Sequence, residues 1–416
     1  MRQLARCSVL ALALAGASQV AQAQALEFHG YTRSSISVSS DGGKGACFGI
    51  GSINPFRLGN ECDTVIEPTF TARFANLEDK SAWGVTFMPS IYARQGGAED
   101  SGVAVADLHT HFGQIYLFGE NVPQLANGRV WAGRRFYQRL QTGINDEFLE
   151  NLDGDGAGIE EMNLGFGKLS VAWQANVYAN AYDADGNLTD NFNTLSGNRL
   201  SARLTDIKTF PEGSLSFYTN YNKDLNRDDE SGPVTVSAPD TNGTFHIAAY
   251  HNLNGVLGGS NLLGLGYTST EHGNETFDFT VQQSGFISGP QIGWDAIFRY
   301  RNTKADNGDK TNEYAIGGRL DGHIAGPFRW LTELSYNNVD PEGGDTQNLT
   351  KFTAALAMSA GPNPWSRPTF RLYYSYFNWN DAAGTPFRWS SESSSHGADP
   401  TKNSSGTFGI QGEAWW

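Results

Sequence analysis

Residues 407–416 read Thr407-Phe408-Gly409-Ile410-Gln411-Gly412-Glu413-Ala414-Trp415-Trp416. Extended as a strand, this stretch places Phe408, Ile410, Gly412, Ala414 and Trp416 on one face and Gly409, Gln411, Glu413 and Trp415 on the other. One face is apolar, and the other is polar with a single tryptophan. A water-soluble domain has little use for two exposed tryptophans at its end. A transmembrane β-barrel requires this pattern: apolar side chains toward lipid, polar side chains toward the lumen and aromatics at the interfaces.

Working outward, the composition fits the same class. The 416 residues include 49 glycines and 12% aromatics, and only 18% are charged. Acidic residues outnumber basic ones 44 to 29, which argues against nucleic acid as a partner. Outside the N-terminus no run of 18 apolar residues occurs, so no transmembrane helix is encoded. A membrane protein without such helices must be a closed barrel, because only closure pairs every backbone group in lipid.

The N-terminus indicates the compartment. Arg2 and Arg6 flank a short start, residues 7–17 are apolar, and Ala21-Gln22-Ala23-Gln24-Ala25 follows. This is the form of a secretory signal peptide, with cleavage after Ala25 or after Ala23. We take residues 1–25 as the signal and 26–416 as a single outer-membrane barrel domain. Cys7 is lost with the signal and precedes its apolar stretch, unlike a lipoprotein acceptor. Cys47 and Cys62 then remain, an even number in an exported chain. A disulfide between them closes a loop of about 15 residues and contributes roughly 3 kcal/mol in the loop-entropy model; two unrelated thiols are the alternative.

Period-2 alternation between turn residues gives about eighteen segments, from 28–38 to 406–416, an even number in the porin range. Long polar excursions follow the odd-numbered segments, as at 39–63, 93–111, 139–158, 179–199, 223–242 and 379–405. Brief turns follow the even-numbered ones, as at Gly167-Lys168. The link at 272–276 breaks the rule. Long loops on one side and short turns on the other fit an outer-membrane barrel; a soluble sandwich or propeller has no reason to segregate them.

Strand faces then assign residues to the lumen. In the first segment Phe28, Gly30 and Thr32 alternate with Glu27, His29, Tyr31 and Arg33, so the charged face, with Tyr31 and Arg33, points inward. In the last, Trp415 shares its face with Gln411 and Glu413 and also points inward. In 293–302, Trp294, Ala296, Phe298 and Tyr300 oppose Asp295, Arg299 and Arg301. Most aromatics belong to the interfacial girdle; those sharing a face with charges are candidates for solute contact. Aromatics beside ionisable groups suit a sugar, whose C–H face packs on a ring while its hydroxyls exchange hydrogen bonds with charged partners. Passage requires many weak sites rather than one tight one.

Several motifs carry a family resemblance. FHGYTRS from Phe28 to Ser34, RLGNEC from Arg57 to Cys62, VWAGRRFYQR from Val130 to Arg139, NLGFGKLS from Asn163 to Ser170, WSRP from Trp365 to Pro368 and the terminal Trp415-Trp416 together resemble the maltoporin family of carbohydrate-selective outer-membrane porins. The resemblance implies a homotrimer of eighteen-stranded antiparallel barrels, each with its own pore, that lets sugars such as maltose and maltodextrins diffuse passively. Tyr31, Trp365 and Trp415 match three rungs of an aromatic slide, and Arg33, Arg57, Glu67, Arg139 and Asp146 match its polar tracks. Loop 139–158 corresponds to an inward-folded constriction, with Phe148 where the family places a tyrosine.

There are departures. Val65 stands where the family has a slide tyrosine, loop 93–111 offers no tryptophan to a neighbouring pore, and Gln141 replaces an acidic track residue. Leu263 is the nearest apolar candidate for a middle-strand rung. No catalytic residue, metal site or cofactor is implied: Asp153-Gly-Asp155-Gly fails the calcium-loop pattern at Ala157 and Leu164. The acidic group Asp146, Glu147, Glu150, Asp153 and Asp155 fits a pore loop, Ser393 to His396 form a serine-rich loop without a nucleophile elbow, and Arg134-Arg135 fits a lumen or loop charge track. Three readings stand: a sugar-selective porin, a general diffusion porin, or a barrel enzyme or secreted sugar-binding β-protein.

Overall fold

The computed structural model describes residues 25–94, 109–175, 197–224, 243–271, 273–388 and 397–416. The N-terminal segment expected to be removed, loop 93–111 for the most part, loops 179–199 and 223–242 for the most part, and Ser393 to His396 lie outside the described residues.

The described residues form twenty strands: β1 Ala25–Ser39, β2 Asp63–Asn76, β3 Ala82–Arg94, β4 His109–Val122, β5 Gly128–Arg135, β6 Leu140–Thr142, β7 Glu147–Glu150, β8 Gly154–Asn163, β9 Lys168–Ala175, β10 Gly197–Lys208, β11 Gly213–Asp224, β12 Gly243–Val256, β13 Gly259–Thr270, β14 Glu275–Ile287, β15 Ile292–Lys304, β16 Lys310–Ala325, β17 Phe328–Pro341, β18 Gln347–Ser359, β19 Thr369–Trp379 and β20 Ser404–Trp415. Eighteen of them make one antiparallel sheet in which β1 pairs with both β2 and β20. The sheet is closed, so no strand edge is left unpaired. β6 and β7 form a separate small hairpin.

Alternation sets the two faces. Along β19, Phe370 is 52% exposed while Ser375 and Phe377 on the other parity are 0% exposed. A barrel reverses the usual rule, since its outer, exposed face is the apolar one. Outward rings stack from strand to strand, with Phe28 5.0 Å from Phe70 and 5.5 Å from Trp416.

One rim carries short turns, from two residues at 257–258 to nine at 360–368. The other carries long connections at 40–62, 136–153 and 380–403, but only short ones at 271–274, 305–309 and 342–346. The expected asymmetry therefore weakens in the second half, because ladder pairing there continues up to the turn, as with Lys304 opposite Lys310.

Two of the long connections fold into the barrel. Segment 40–62 carries Phe48, Ile53, Phe56 and Leu58, all buried. Phe48 packs on Phe377 and Trp379 at 4.6 and 5.2 Å. Its backbone is received by the wall: Lys351 Nζ donates to Phe56 O (3.0 Å), Thr353 Oγ1 to Leu58 O (3.0 Å), Ser375 Oγ to Gly59 O (3.1 Å), and Leu58 N donates to Glu333 Oε1 (3.1 Å). These bonds satisfy groups that would otherwise be buried unpaired. The Cys47–Cys62 disulfide closes this segment.

Candidate functional site

The second inward connection runs from 136 to 153, between β5 and β8. This corrects the expected 139–158: residues 154–158 are already strand β8, and 136–138 have left β5. The hairpin β6–β7 presents a tip at 143–146, which is fastened on several sides. Arg33 Nη1 donates to Asp146 Oδ2 (3.0 Å) and Arg57 N to Ile144 O (3.2 Å). Glu147 accepts from Asn54 N (2.6 Å) and pairs with Arg299 Nη1 (2.6 Å). Glu150 accepts from Tyr250 OH (2.8 Å) and bonds His246 Nε2 (2.9 Å). The two inward segments thus brace each other and the wall.

Beside this brace the register lines up one row across three strands. Trp415 of β20 is opposite Tyr31 of β1, which is opposite Glu67 of β2. The next row sets Glu413 opposite Arg33 and Arg33 opposite Val65. Tyr31 OH donates to Glu413 Oε1 (3.0 Å) and accepts from Arg57 Nη2 (3.2 Å). Arg57 also reaches Glu61 (2.7 Å) and Glu413 (2.6 Å), and Arg33 holds Asp63 through Nε (2.7 Å) and Nη2 (2.8 Å). Glu67 accepts from Ser90 Oγ at 3.4 Å.

Electrostatics keep the two loop residues charged. Burial opposes ionisation of Arg57, yet Glu61 and Glu413 raise its basicity well above the ordinary guanidinium value. Burial would likewise raise Asp146, but Arg57 and Arg33 hold its carboxyl below the usual range.

Arg139 lies over the ring of Phe136, 3.2 Å from its centroid, with Phe148 at 4.9 Å, and Asp153 binds it through Nε at 2.8 Å. Gln141 donates to Asp146. Trp365 lies apart from the other predicted rungs, in the turn 360–368, and is 60% exposed. Arg367 from the same turn covers Trp415, 3.5 Å from the ring centroid, and reaches Glu413 at 3.2 Å.

Two features escaped the sequence. Leu263 is 39% exposed and points outward, whereas Leu262 is buried on the lumen side beside Tyr218 and Tyr250. The adjacent leucines give no parity of their own, so this corrects the middle-strand candidate. Phe286 of β14 lies on the lumen parity, 6.4 Å from Trp365. The arginine pair divides: Arg135 bonds Glu160 in the lumen (2.9 Å), and Arg134, on the other face, makes a two-point contact with Asp155. Asp153 and Asp155 are thus both engaged by arginines, and no group of metal-ligating side chains occurs among the described residues.

The arrangement offers aromatic surface next to fixed donors and acceptors along the lumen face. A family model described as LamB porin matches residues 26–416. The outer membrane protein OpdK of Pseudomonas aeruginosa is 10% identical over 94% of this chain and 100% of its own, with a TM-score of 0.54. OccAB2 of Acinetobacter baumannii is 9% identical over 94% of this chain and 98% of its own, with a TM-score of 0.50. At these identities the two structures attest the barrel architecture alone.

Proposed function

The chain belongs to the LamB porin family, and from that premise we propose that this outer-membrane barrel is a sugar-selective channel for maltose, maltodextrins or related oligosaccharides. The row of Trp415, Tyr31 and Glu67, one register step from Arg33 and Glu413, carries the reading. A pyranose moving along β20, β1 and β2 keeps its C–H face on the rings while its hydroxyls trade partners among Arg57, Arg33, Glu67 and Asp146. Each exchange replaces one charge-assisted hydrogen bond with another, so no position becomes a trap. The same family membership supports a homotrimer with one pore per chain. Catalysis and cofactors have no part in this mechanism.

Swelling of liposomes containing the protein tests the selectivity. Maltotriose is expected to enter faster than a flexible polyol of smaller mass. Uptake ranked by solute mass alone would instead identify a general diffusion porin.

A further inference from the structure

The turn 360–368 is the longest connection on its rim, which is the periplasmic one in a barrel of this family. It leaves β18 and returns to β19, yet it does not stay beside them. Pro364 lies against β15, where a Cβ added to Gly293 would meet the proline Cγ at 2.3 Å. Trp365 reaches Phe286 on β14. Between these points Arg329 of β17 donates to Asn363 O, and at the near end Arg367 binds Glu413 and covers Trp415. The turn is therefore a chord drawn over β16, β17 and β18 rather than a simple reversal.

Internal bonds make it stiff. Ser366 N donates to Asn363 O (3.0 Å), Arg367 Nη1 to Pro364 O (2.9 Å) and Ser366 O (3.0 Å), and Thr369 Oγ1 to Ser366 O (2.8 Å). Pro362, Pro364 and Pro368 limit the backbone further. A strap held at four strands, β14, β15, β17 and β20, and braced internally cannot swing aside with each passing solute.

We propose that this strap is a second constriction, at the periplasmic mouth, that selects solutes by width independently of the inward segments 40–62 and 136–153, and that Gly293 is the positioning residue that fixes its seat. The narrowing follows from the course of the strap, from β14 and β15 across to β20. Its use by sugars, with Trp365 as the last aromatic surface met before exit, rests on the function proposed above. Trp365 keeps most of its surface exposed while the strap that carries it is anchored.

Single channels of known orientation in a planar bilayer test this with neutral polyethylene glycols of graded size added to one side at a time. In the wild type, polymers from the periplasmic side are excluded at a size set by the strap. Trp365→Ala shifts that cut-off to larger polymers. Gly293→Ala, which forces Pro364 out of its notch, also moves it, and Pro364→Ala reads the same seat should the first variant fail to fold. The cut-off from the extracellular side stays constant in all three. An unchanged periplasmic cut-off, or equal shifts from both sides, overturns the proposal. Titrating maltotriose into the same channels separates the two claims: polymer shifts without any sugar block retain the strap and reject the sugar reading, and sugar block without a side-dependent shift does the reverse.

Discussion

Replacing Trp415 with alanine is expected to weaken sugar block of the ion current by about tenfold while leaving the open conductance nearly constant. Arg367 covers one face of the indole, and Trp415 remains 40% exposed in register with Tyr31. Loss of about 60 Å² of apolar contact with a pyranose is worth ~1.5 kcal/mol at ~25 cal/mol per Å², and ~1.4 kcal/mol is a factor of ten in affinity. Arg367 keeps Glu413, Pro364 O and Ser366 O as partners, so the variant removes aromatic surface without releasing the strap. Trp415→Phe, which preserves a ring, should recover part of the block. Equal block in wild type and alanine variant would show that Trp415 only packs.

The second large effect concerns Glu147. Its carboxylate is buried, pairs with the fully buried Arg299 and accepts from Asn54 N. One side chain therefore ties both inward segments to β15. Glu147→Ala leaves Arg299 buried without this partner, a loss of roughly 3–5 kcal/mol for a broken buried pair. The tip 143–146 and the segment 40–62 lose their shared anchor together. Open conductance should rise and its fluctuations increase, and the temperature at which the folded barrel opens on a semi-native gel should fall. Glu147→Gln, which can still accept from Asn54, should lie between. A conductance and melting temperature equal to wild type would place the anchor elsewhere, in Asp146 or Glu150.

The barrel was legible because lipid imposes alternation on every strand, and TFGIQGEAWW states it within ten residues. Tyr31, Arg33 and Trp415 follow from parity alone, since each shares a face with a charge. Other features were hidden for physical reasons. Gly154-Asp155-Gly156 reads as loop, yet it starts β8 because the wall is tight there: a Cβ on Gly156 would come within 2.4 Å of Trp173 O. Leu262 and Leu263 are chemically alike, so only pairing tells which faces in.

The inward fold of 40–62 left a trace that could have been used. Ala46, Phe48, Ile50, Ile53, Phe56 and Leu58 are too apolar for a solvent loop, and the barrel wall buries them. Nothing local marks 360–368 as a chord, because its seat is the absence of a side chain at Gly293, on β15.

The most direct measurement is a titration of maltose, maltotriose and maltohexaose against the current through the wild-type channel. Trp415 and Tyr31 lie on β20 and β1 while Trp365 lies against β14, so a longer chain can engage both. Half-blocking concentrations should fall with each added glucose until the path is filled. A half-blocking concentration that does not change with chain length, or the absence of block by all three, would contradict a sugar path and leave a channel that admits solutes by size.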